Sequence, residues 1–115
     1  MNASNYNDLM NELRAEYLES FAEKYLKMRT FFAAKDFYSL ELEFHKLKGT
    51  GATYGVPEVS TLCQKMEDIC KKNPENLEDL MNQSIEVLQK IKKKYLDNEQ
   101  YDLESCHEFL NIKEN

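Results

Sequence analysis

The chain has 115 residues, enough for one domain and too few for two independent cores, which excludes a two-domain enzyme. Only three Gly and two Pro stand among 42% hydrophobic and 31% charged residues, the balance of an all-α protein, since all-β folds need more turn residues. A net charge of −6 argues against nucleic acid or an anionic membrane surface as the partner and leaves a protein or a small anion.

Residues 1–8 are polar and read as a frayed or short lead-in. From Leu13 the apolar positions Leu13, Tyr17, Phe21, Tyr25, Met28 and Phe32 step by three and four, which predicts one long helix over about residues 9–34. Asp36 can cap a second helix with the stripe Phe37, Leu40, Phe44, Leu47, Gly51 and Tyr54, ending at Gly55. Pro57 suits the first turn of a third helix, buried along Val59, Leu62, Met66 and Ile69. Asn73-Pro74 then stops that helix and starts a fourth, Asn as N-cap and Pro at the first helical position, with the stripe Leu77, Leu80, Ser84, Val87, Ile91 and Tyr95 widened by Ile85 and Leu88. Such short connections make neighbours antiparallel, so the expected fold is an up-down antiparallel four-helix bundle with short terminal extensions. The whole chain, 1–115, reads as a single domain, with a bundle core over about residues 9–96 and an acidic extension over about 98–115. That extension keeps Tyr101, Leu103, Phe109 and Leu110 for docking a short extra turn, but its pattern assigns no element.

Cys63, Cys70 and Cys106 make no CxxC pair, and their odd count speaks against a disulfide framework. They read as buried thiols, Cys63 and Cys70 beside Met66 and Ile69, a commoner explanation than the metal site that Cys106-His107 invites together with them. No basic start leads into an apolar run, and no stretch approaches the roughly 20 apolar residues of a membrane helix, so a cytoplasmic, untargeted chain is expected.

Local propensity and pattern conflict in the second helix. Each interior Gly costs about 1 kcal/mol against Ala, yet Gly49 and Gly51 both lie there. Gly51 is on the apolar stripe and lets a neighbouring helix approach. Gly49 is about 160° away, where packing gives it no role. It shares a patch with Glu41, His45 and Lys48, counted by threes and fours. His45 is about 100° from the core residue Phe44, at the edge of the bundle. An imidazole there is a nucleophile near neutral pH, Lys48 supplies a cation for an anion gathered at the ring, and Gly49 leaves room for a bulky anion or a protein. This is what a phosphoryl-accepting site on a helix requires.

The run Phe44-His45-Lys46-Leu47-Lys48-Gly49-Thr50-Gly51-Ala52-Thr53-Tyr54-Gly55 closely resembles the H-x-[LM]-K-G-small-small-x-x-x-G signature of histidine-containing phosphotransfer (HPt) domains. Helix order and lengths extend the resemblance over roughly residues 10–96. It implies that His45 is phosphorylated at Nε2 by the phospho-aspartate of a receiver domain and passes the phosphoryl group to another receiver. By the same resemblance Lys48 contacts the phosphoryl oxygens, Gly49 keeps the docking surface open, Glu67 hydrogen-bonds the other ring nitrogen, and Lys71 lies near the partner.

The resemblance further implies a phosphocarrier and no enzyme. Its partners would be response-regulator receivers and a hybrid sensor histidine kinase; it would have no cofactor of its own, and the Mg²⁺ would be carried by the receiver. A monomer is expected. The alternative is a phosphorylation-independent helical scaffold or adaptor binding receiver domains, against which the presence of both His45 and Lys48 speaks. No nucleotide-binding module accompanies the motif, so autonomous kinase activity is not expected. Lys92-Lys93-Lys94, near the end of the fourth helix, reads as a complement to the helix dipole.

Overall fold

A computed structural model describes residues 3–115, with side chains from residue 5 onward. The described residues are helical, without strands: α1 is Ala3–Glu19, α2 Phe21–Ala33, α3 Phe37–Thr53, α4 Pro57–Lys72, α5 Leu77–Leu96 and α6 His107–Lys113, with a 3-10 turn at Leu103–Ser105 before α6. Helices α2, α3, α4 and α5 touch in a closed ring, each against its chain neighbour and α2 against α5. Their stripes meet inside it, where Phe21, Met28, Leu40, Phe44, Leu47, Leu62 and Met66 are inaccessible to solvent.

The expected first helix is two. Ser20 separates α1 from α2, and its hydroxyl donates back to the Tyr17 carbonyl at 2.6 Å while its amide is shared between the carbonyls of Glu16 and Tyr17. Such back-bonding bends a helix. Periodicity survives the bend, so the stripe from Tyr17 to Met28 is buried as expected. Of the expected polar lead-in, residues 1–2 lie outside the described residues and the rest belongs to α1.

Asp36 caps α3 by accepting from the Ser39 amide at 3.1 Å. The other end closes in a Schellman arrangement, Val56 N–H to Gly51 O at 2.8 Å and Gly55 N–H to Ala52 O at 3.3 Å. Gly55 has φ +74°, and a Cβ there would also lie 2.9 Å from the Arg14 guanidinium, which donates to Tyr54 O and ties α1 to α3. Asn73 does not cap the following helix as expected. It has φ 47° and closes α4 in the left-handed region that Asn tolerates, whereas an N-cap needs extended backbone. The fourth helix of the ring, α5, therefore starts only at Leu77, after Asn76.

The acidic extension is more than a docked turn. Leu103, Cys106, Phe109 and Ile112 are buried in the common core, and α6 lies against α5 and α4. Glu108 accepts from Lys90 at 2.7 Å, and that hydrogen bond holds its carboxyl down to about 2. A carboxyl lowered on folding contributes its full stability above the ordinary value of 4.5 and loses it as pH falls toward 2. Amide exchange in α6 should therefore speed up across that window before the rest of the protein responds. Glu108→Gln should remove the pH step and, at neutral pH, cost no more than about 1 kcal/mol, because solvent screens the exposed Lys90.

Candidate functional site

The close contact between α3 and α4 builds the site. A Cβ on Gly51 would lie 2.9 Å from Ser60 Oγ and 3.0 Å from Val59 Cβ, so only glycine allows this approach. Ser60 Oγ then donates to the Lys48 carbonyl at 2.6 Å, fastening the helices one turn from His45. At this spacing His45 Nδ1 reaches Glu67 Oε1 on α4 at 2.9 Å. The His45 side chain is 54% exposed and that of Glu67 9%. One partner is buried and holds the ring; the ring itself faces water.

Burial pushes the Glu67 carboxyl up, but hydrogen bonds and charge from Lys48 and His45 outweigh it and hold the group below the usual carboxylate value. An ionised carboxylate only accepts, so the proton of the contact belongs to Nδ1, and in the neutral ring the lone pair falls on Nε2. Lys48 Nζ forms an ion pair with Glu67 Oε2 at 3.1 Å and donates to Gln64 Oε1 at 3.0 Å. Lys71 Nζ is 3.9 Å from Glu67 Oε1 and 4.0 Å from Glu41 Oε1, the outer member of the cluster.

Gly49 meets nothing within 4 Å of an added Cβ. Its expected separation from Gly51 in role is thus matched by its surroundings: open space at one, contact at the other. Gly49→Ala should raise thermal stability by up to about 1 kcal/mol, because the helix gains propensity without a clash; a lower melting temperature would contradict that geometry.

All five residues singled out by sequence, His45, Lys48, Gly49, Glu67 and Lys71, occupy one face of the α3–α4 pair. The same periodicity brings further residues to this face. Tyr38 and Leu42 share the stripe of His45 at steps of four and three; both are exposed, and with Glu41, His45 and Glu67 they line a cleft of about 200 Å³. Gln64 lies one turn before Glu67 on the same face. A larger groove of about 490 Å³ between α2, α3 and α5 contains none of these residues.

Cys63, Cys70 and Cys106 are free and buried; burial pushes Cys63 up, and Cys70 to about 12, which leaves both as thiols. Among the described residues no group of three or more His, Cys, Asp or Glu could hold a metal ion, and no helix is long and apolar enough to cross a membrane.

A model of the Hpt domain family matches residues 12–94. No curated protein and no solved structure matches the chain.

Proposed function

From its membership of the Hpt domain family, whose members carry phosphoryl groups on histidine in phosphorelay signalling and are not kinases, we propose that this chain is a relay intermediate with His45 as phosphoryl acceptor. The observation that carries the reading is a solvent-facing imidazole held through Nδ1 by a buried carboxylate, beside Lys48 and an open Gly49. The ring of helices joined by short connections supports its description as an up-down antiparallel four-helix bundle with terminal extensions, forming one domain over 1–115.

Hpt domains interact with receiver domains and histidine kinases. In the proposed reaction the donor is an aspartyl phosphate of a receiver. The lone pair of Nε2 forms the N–P bond while the P–O bond to the aspartate breaks, and the aspartate leaves as a carboxylate. The ring gains positive charge and keeps its Nδ1 proton, whose hydrogen bond Glu67 accepts. Lys48 neutralises the phosphoryl oxygens, Gly49 keeps the approach clear, and Lys71 adds positive charge at the rim. Mg²⁺ belongs to the receiver, and no cofactor of the chain is required. Exposed Tyr38 and Leu42 offer the receiver an apolar contact beside the ring. Passage to a second receiver reverses the same step. A monomeric, cytoplasmic carrier fits this role, and its partners are response-regulator receivers and a hybrid sensor kinase.

The test is incubation with a receiver carrying labelled aspartyl phosphate and Mg²⁺. Acid-labile, base-stable label should move to this chain and map to His45. Label that stays on every receiver of a broad panel, or maps elsewhere, would refute the assignment.

A further inference from the structure

Lys48 has the charge to meet a phosphoryl group, but its position in the unphosphorylated protein is elsewhere. Its ammonium sits on Glu67 Oε2 at 3.1 Å, and the other oxygen of that carboxylate holds Nδ1. In the proposed reaction the phosphoryl group forms at Nε2, the ring nitrogen that Glu67 does not hold. Gln64 adds a second acceptor at 3.0 Å, and its own amide nitrogen donates to Asp68 Oδ1 at 3.1 Å, which turns the Gln64 carbonyl toward Lys48. Asp68 orients Gln64, and Gln64 with Glu67 retains the lysine on the Nδ1 side.

We propose that Gln64 is a positioning residue that restrains Lys48 at rest, so that phosphoryl capture includes release of the lysine from Gln64 and Glu67. The inference rests on His45 being the acceptor. Lys71, 3.9 Å from Glu67 Oε1, remains to compensate the carboxylate when Lys48 departs, which lowers the cost of that movement. A polar residue at 64 thus sets how readily the cation is recruited without touching the reacting atoms.

Phosphoramidate tests this without a docking partner. Nε2 forms the N–P bond as the P–N bond of the zwitterionic donor breaks, and ammonia leaves. Gln64→Met keeps side-chain length and removes the acceptor, and Gln64→Ala is the second variant, since the side chain is exposed and neither change disturbs the core. Each should raise the rate of His45 labelling about threefold, the effect of one released charge-assisted hydrogen bond screened by solvent. In a Lys48→Ala background the same substitutions should leave the rate unchanged. Unchanged or slower labelling of the single variants, or equal acceleration without Lys48, overturns the restraint while leaving His45 as acceptor. Absence of label from the unsubstituted protein overturns both.

Discussion

His45→Gln is expected to abolish phosphoryl uptake from any receiver while leaving the protein folded. Glutamine is of comparable size and polarity, but its amide nitrogen has no available lone pair, so no N–P bond can form. The structural cost is small because the side chain is more than half exposed, at 54%, and among the described residues its ring is hydrogen-bonded to Glu67. Glu67 keeps Lys48 at 3.1 Å, so its buried carboxylate is not left uncompensated. Unfolding free energy should therefore shift by no more than about 1 kcal/mol. Labelling and thermal unfolding of the same samples separate the two effects. His107, exposed at the start of α6 and remote in sequence from the motif, provides the control: His107→Gln should label normally. Label surviving on the His45 variant, or lost from the His107 variant, would move the acceptor away from α3.

Gly51→Leu should damage stability and chemistry together. Already a Cβ at this position comes within 3.1 Å of the Ser60 backbone nitrogen, as well as 2.9 Å from Ser60 Oγ and 3.0 Å from Val59 Cβ. The Ser60 hydroxyl can rotate away, but the backbone nitrogen moves only if α4 moves. A leucine adds further carbons in the same gap, so the helices must separate. Overpacking of this kind costs about 3 kcal/mol, equivalent to a melting temperature lower by roughly 10 °C for a domain of this size. Separation also stretches the 2.6 Å bond from Ser60 to the Lys48 carbonyl and the 2.9 Å contact between His45 and Glu67. With the ring no longer held, transfer should slow by between about tenfold and a hundredfold. Gly49→Ala, two residues away, has the opposite sign for stability. If Gly51→Leu unfolded like the parent protein, the close approach of α3 and α4 would not be what positions the ring.

How much of this was legible in advance varies along the chain. The α3 and α4 stripes were readable because a long run of apolar residues at helical spacing has one burial solution, and Asp36 and Pro57 mark their starts chemically. The bend at Ser20 was not readable, since a serine that bonds back to its own helix leaves the apolar period intact. Asn73 was ambiguous because the same side chain serves an N-cap and a left-handed C-cap; its φ of 47° reflects how α4 ends, not a local preference alone. The final segment spaces Leu103, Cys106, Phe109 and Ile112 by three over too short a run to define a helix by itself, and α6 exists because α4 and α5 present a surface on which Phe109 and Ile112 are buried.

The amino-acid order by itself determined the helical class, the cores of the four bundle helices, the place of His45 beside Lys48 and Gly49, and the different surroundings of the two glycines, since each follows from rotation by a fixed angle along one helix. Only the tertiary structure decided the contacts between helices. Those are the sharing of Lys48 between Glu67 and Gln64, the burial of a carboxylate beneath an exposed ring, and the 2.9 Å geometry of the His45–Glu67 contact that the family resemblance implied. The reason is that angular position within a helix is a local property of the chain, whereas the distance and rotation between two helices depend on every side chain packed between them.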